Sequence, residues 1–242
     1  MLEIKTIGIG LPSITNKDKV IYHCIFDTQE EMNHTFIRFT EFIESPTLKG
    51  TIFEKSDVED TYPGYYEEVL GHNVPGNSYL KFLDVYKDCL STEEIEISNR
   101  IPENRAKSEG DFYIIGTFKT TTNIDVLPHE ISHAIFYLIP LYRTMVFGNL
   151  NFAKTVSGDD FFKNMEDILE LKMYDKSVWA DETHAYLIDL ALGNKGFFYG
   201  YNFSGFISQL LAGKVRLHFK YIDTAKSMLR TFKYFYKRAL IK

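Results

Sequence analysis

Cysteine is scarce in this 242-residue chain: Cys24 and Cys89 are the only two, far apart and outside any C-x-x-C pair. That usage excludes a disulfide scaffold and a zinc ribbon, and it predicts two buried free thiols in a reducing compartment. Long apolar runs are also missing. The longest, 134–141, is broken by Pro140 and falls well short of the roughly 20 residues that span a bilayer. The opening residues, MLEIKTIGIG, lack a charged stretch followed by an apolar one, so no secretory signal, no membrane partner and a cytoplasmic location are expected. There is no GxGxxG, P-loop, GxSxG elbow or internal repeat, which leaves nucleotide-binding and serine-hydrolase readings without support. What the chain has in quantity is core material, 45% hydrophobic and 15% aromatic, enough to fill one large domain or two small ones.

Charge is unevenly spread. Residues 214–242 hold nine Lys or Arg against the single acid Asp223, a local +8, so residues 1–213 carry −14 of the net −6. An acidic body with a basic tail predicts either a docked helix or contact with an anionic partner. Phe219, Ile222, Leu229, Phe232, Tyr236 and Leu240 interleave the cations at helical spacing, which favours the docked helix. Broad nucleic-acid binding is not expected from so acidic a body.

Along the chain, strand-like runs at 2–11 and 20–26 flank a polar turn, and Asp27 or Thr28 caps a helix from Gln29 that Pro46 stops. This is a small N-terminal ββα unit. His23 and His34 fall within it and read as structural, having no second ligand at metal spacing. Residues 50–77 read as loop, with the Tyr62, Tyr65, Tyr66 cluster packing on a surface. Helical spacing resumes at 79–90, and Ser91 to Glu94 opens another helix. A polar stretch at 98–110 separates an N-terminal α+β region, 1–108, from the remainder, 109–242.

The second region begins with the clearest strand, 111–118, and moves at once into VLPHEISHAIFYLIP at 126–140. On a helix, His129 and His133 stand one turn apart on one face, so their imidazoles can converge on one metal ion. Glu130 lies beside that ion, where a carboxylate can take a proton from water. Asp125 is the expected N-cap and Pro128 suits the first turn, while Ile131, Ala134, Ile135 and Leu138 form the buried stripe.

His129-Glu130-Ile131-Ser132-His133 resembles the signature of the zincin metallopeptidases. The resemblance implies His129 and His133 as zinc ligands, Glu130 as general base, a peptide or protein substrate, and an edge strand above the cleft before the active-site helix. An α+β fold with a mostly helical, zincin-like catalytic half follows from it. The strand at 111–118 is placed as that edge strand, free to pair with an extended peptide. The metzincin branch does not fit, because 136–139 holds neither the Gly nor the third His of its longer motif.

A working zinc site needs three protein ligands and an open position. Glu182, on an otherwise apolar helix at 176–192, is the leading third ligand, since a lone carboxylate there is costly without a partner. A downstream glutamate is what the gluzincin branch uses. Glu166, on a helix at 159–174, is a rival. His184 is another, although it points nearly opposite to Glu182. Asp159 and Asp160 read as helix caps with an aspartate-ligand alternative. The interval from His133 to Glu182 exceeds that of the best-known gluzincins, and Tyr186 stands where an aspartate often supports a ligand histidine. Asp181 or Asp189 would supply that support instead. Tyr186, His184, Tyr142, Arg143 and His218 are candidate donors to a developing oxyanion. The Gly- and aromatic-rich stretch 193–205 reads as either a flap or a packed connection. Two further functions remain open: a zincin-fold sensor without turnover, and an anionic-partner binder using the basic tail.

Overall fold

The molecule is described here from a computed structural model, in which residues 2–9, 19–101, 112–119, 126–157, 159–192 and 215–239 are placed. Strand β1 (Glu3–Ile9) pairs antiparallel with β2 (Lys19–Phe26), with Glu3 opposite Ile25 and Ile9 opposite Lys19. Helix α1 (Gln29–Glu44) follows, its first turn capped by Thr28, whose hydroxyl accepts from Glu31 N at 3.1 Å. It ends before Pro46, as a missing N–H requires. The ββα unit is therefore present.

The supposed loop at 50–77 holds more structure than its Pro and Gly content predicts. It forms α2 (Lys55–Thr61), α3 (Tyr65–Glu68) and β3 (His72–Pro75). Then come α4 (Gly76–Val85) and α5 (Thr92–Arg100), the latter opened by a reciprocal cap between Ser91 and Glu94. Glu94 also receives Arg38 of α1, whose Nε donates to it at 2.8 Å while Nη2 donates to its second oxygen and, at 3.0 Å, to Cys89 O. Both charges are buried, so the pair is tolerable only because its donors and acceptors are nearly all used.

Strand β4 (Phe112–Phe118) enters between β2 and β3, parallel to the first and antiparallel to the second, giving the order β1-β2-β4-β3. The expected edge strand is thus an interior one, which corrects the placement drawn from the zincin resemblance. Its near-continuous apolar run is the mark of a strand covered on both faces, and both of its sides are already hydrogen-bonded to neighbours, leaving none for a peptide. Gly116 is needed within it, because a Cβ would come 2.7 Å from the Phe36 ring. The core beside the sheet is aromatic: Phe39 meets Phe82 at 4.4 Å between centroids, and Phe82 stacks on Tyr86 at 4.2 Å. Tyr65 is buried against Tyr62 and Tyr66, in keeping with the packing role expected of that cluster. His23 bonds to Thr117 Oγ1 at 2.7 Å and His34 stacks on Tyr66, both structural roles. Both cysteines are free, but only Cys24 is buried; Cys89 is exposed in the turn after α4, which corrects that expectation.

The chain divides into two compact units, Met1–Thr121 with Lys237–Lys242, and Thr122–Tyr236. The divide falls at 121/122 rather than at 108/109, so β4 belongs with the sheet of the first unit. Among the described residues the second unit is built of helices: α6 (Leu127–Leu138), α7 (Pro140–Ser157), α8 (Asp159–Leu171), α9 (Trp179–Leu192) and most of α10 (Val215–Ala239). The fold as a whole is mixed α+β. No described helix is long and apolar enough to cross a membrane. The expectations for 98–110 fall largely, and those for 193–205 wholly, outside the described residues.

Candidate metal centre

Helix α6 forms where the sequence motif predicts it. Its start is a backbone N-cap at Val126 without a side-chain cap bond, Asp125 lying outside the described residues; Pro128 occupies the first turn. Ile131, Ala134, Ile135 and Leu138 are all buried and hold the helix by its inner face. Pro140 then ends α6 and begins α7, a helix not foreseen from the sequence, in the position where proline's fixed φ is already helical.

The one-turn spacing brings His129 Nε2 and His133 Nε2 to 3.1 Å. Two nitrogens bound at zinc–nitrogen distances in a tetrahedron lie about 3.3 Å apart. Helix α9 packs on α6 and carries Glu182 to this point, its Oε1 3.6 Å from His133 Nε2. His129, His133 and Glu182 are buried and offer one ligand atom each, all within 4.8 Å of one another. At 3.6 Å from His133 Nε2 the carboxylate stands slightly wide of tetrahedral spacing.

Two aspartates steer the histidines from behind. Asp189, two helical turns beyond Glu182 on the same face, accepts from or shares a proton with His129 Nδ1 at 2.7 Å. A carboxylate there favours the tautomer with hydrogen on Nδ1 and the lone pair on Nε2, the form a metal needs. Asp181 Oδ1 lies 3.0 Å from His133 Nδ1, a charge contact on the far side of that ring from Nε2. Asp181 touches His184 as well, Oδ1 to Nδ1 at 3.2 Å, and its backbone oxygen meets that nitrogen at 2.6 Å.

The electrostatics are those of a site short of positive charge. Glu130, Asp181, Glu182 and Asp189 surround two histidines, and Glu130 Oε2, Glu182 Oε2 and Asp189 Oδ1 are buried without hydrogen-bond partners among the described residues. Burial pushes the Glu130 and Glu182 carboxyls above their ordinary range. Burial opposes protonation of His129 and His133, but Asp189 beside the first and Asp181 and Glu182 beside the second overcome it, so both are raised. For Asp181 burial acts upward and His133 outweighs it, lowering the carboxyl. A donor set of two imidazoles and one carboxylate suits a borderline-soft divalent ion.

The rival ligands separate on geometry. Glu166 is exposed on α8 and is not among the converging groups. His184 turns away as its place two residues from Glu182 dictates, stacking on Phe136 at 5.1 Å with Tyr142 edge-on at 5.7 Å. The side chains of Asp159, Asp160 and His218 are outside the described set. Of the candidate donors among the described side chains, Tyr186 lies edge-on to His129 at 5.3 Å between ring centroids, whereas Tyr142 is fully buried beside His184. Asp189 was visible in sequence as one of two possible supports; its distance of seven from Glu182 is the signal that selects it. No protein-family model, no curated protein and no solved structure matches the chain, so the centre stands on its own residues.

Proposed function

We propose that the chain is a zinc-dependent hydrolase of peptide bonds, with His129, His133 and Glu182 holding the ion and Glu130 serving as general base. The observation that carries this reading is the convergence of three buried ligand atoms beside a second buried carboxylate, Glu130, one residue from the first ligand and, among the described residues, lacking a hydrogen-bond partner on Oε2. Zinc bound there supplies Lewis acidity, polarising a carbonyl and acidifying water. Glu130 takes the proton of the attacking water on its free oxygen and passes it to the leaving amine, work suited to a carboxyl whose affinity for protons burial has raised. Asp189 keeps His129 in its ligating tautomer. Tyr186, beside His129, is the donor best placed for the oxyanion.

One observation favours a second reading. His129, His133, Glu130 and Glu182 are between 0 and 4% exposed, which suits a structural or sensing metal centre that no substrate reaches. Glu130→Gln separates the two. In the hydrolase it retains zinc and loses cleavage of an unfolded protein substrate by at least about a hundredfold. Cleavage that survives the substitution contradicts the role given to Glu130, and zinc-loaded wild-type protein without cleavage supports the non-catalytic centre.

A further inference from the structure

Helices α7 and α10 of the second unit present a surface that the metal centre does not use. They meet along a polar seam: Asn149 of α7 accepts from Ser227 Oγ at 3.3 Å and donates to Thr231 Oγ1 at 3.4 Å. Inward, α7 buries Tyr142, Val146, Leu150 and Ala153. Outward it leaves Leu141, Met145 and Phe152 exposed by 58, 42 and 69%, with Gly148 between them where an added Cβ would touch nothing. Spacings of four, three and four put these positions in one stripe along the helix. Met145 and Phe152 each lie one turn from Asn149, so the stripe borders the seam. Apolar side chains gathered like this, rather than scattered, mark a contact surface.

Across the seam, α10 buries Ala225, Met228 and Phe232 and exposes Lys226, Arg230 and Lys233, again in one stripe. Arg230 stands one turn beyond Ser227, on the α7 side of that face. Neither helix offsets this charge: α7 has no acid and α10 has only Asp223. The rest of the chain is net acidic, so these helices carry charge opposite in sign to the remainder, which favours their facing an anionic surface.

We propose that the α7/α10 surface docks on an anionic lipid bilayer, Leu141, Met145 and Phe152 entering the headgroup region while Lys226, Arg230 and Lys233 meet lipid phosphates and carboxylates. A nucleic acid satisfies the cations but has no aliphatic phase for Leu141 and Met145, whereas a bilayer interface takes both stripes at once. The contact is peripheral and needs no spanning helix. It departs from the expectation of no membrane partner, which was drawn from the lack of long apolar runs. It rests on neither the metal nor turnover.

Sedimentation of the full chain with vesicles tests it. Binding is expected to vesicles of phosphatidylcholine with phosphatidylserine, to be weak with phosphatidylcholine alone, and to fall as salt rises. Each cation removed lowers partition about fivefold, so combined Lys226→Gln, Arg230→Gln and Lys233→Gln lowers it roughly a hundredfold. Met145→Ser with Phe152→Ser also weakens binding at least about tenfold, with unchanged circular dichroism and metal content as controls on folding. Absence of binding to phosphatidylserine vesicles overturns the proposal. So does binding that the apolar pair leaves unchanged and that single-stranded DNA matches, which marks a polyanion site. Loss of a dimer in the apolar variant, without vesicle binding by the parent, assigns the face to self-association and overturns it equally.

Discussion

His129 and His133 turn their Nε2 atoms to one point and are each approached from behind by an aspartate, an arrangement that makes the supporting residues as testable as the ligands. Asp189→Asn removes the charge that favours the ligating tautomer and should weaken zinc binding about 10- to 100-fold, measured by competition with a chromogenic chelator. His133→Ala removes a ligand and should leave no stoichiometric metal. Glu166→Ala, an exposed side chain, should leave metal content unchanged. Away from the centre, His72 is fully buried between Thr40 Oγ1 and Asn33 Oδ1, and burial lowers its pKa to about 3. His23 is lowered to about 4, mainly by burial with Lys5 adding to it. Both groups bind protons more readily unfolded than folded. Their contribution is therefore complete above pH 6.5 and is lost as pH falls toward 4 and 3, at up to about 1.4 kcal/mol per pH unit for each. Urea titrations of the wild type and of His72→Gln should show that the variant's stability depends less on pH across this window. Equal slopes would contradict the assignment.

At the scale of elements, what was legible in sequence was whatever local chemistry decides. Thr28 and Ser91 cap α1 and α5 as their positions predict, Pro46 and Pro140 stop helices, and the one-turn spacing on α6 brings together two of the three candidate metal ligands. Glu182 was legible because a carboxylate on an apolar helix is expensive without a partner. What was not legible depends on distant partners. β3 is four residues long and exists by pairing with β4, forty residues on, and β4 lies inside the sheet because β3 takes its second side. A pattern of apolar residues says that a strand is covered, not by what. The same holds for α7, whose apolar residues are divided between a buried face and an exposed stripe, which blurs the period. Long-range fits also make specific predictions. A Cβ at Gly76 would fall 2.6 Å from Phe112 O, backbone that cannot swing aside, so Gly76→Ala should cost about 1–3 kcal/mol in chemical denaturation. Glu94→Ala strands the Arg38 guanidinium in the core and should cost about 3–5 kcal/mol, against little change for the exposed Glu96→Ala.

For the whole molecule, the notable feature is that charge is segregated twice. Buried acids cluster around two histidines in one unit, and α10 carries a net positive charge, opposite in sign to the rest of the chain. A cation bound among those acids would offset their mutual repulsion, and its binding would then add to the unit's folding free energy. Hydrogen exchange followed by mass spectrometry should then show α6 and α9 losing protection on chelation while β2 and β4 keep theirs; uniform behaviour would mean that the metal does not stabilise its own unit. The most direct measurement is elemental analysis of the purified chain beside His133→Ala and Glu182→Ala. About one zinc per chain in the wild type, and none held stoichiometrically by either variant, is the predicted result. Less than about half an equivalent in a fully folded wild type, or undiminished zinc in the Glu182 variant, would contradict the three-ligand centre.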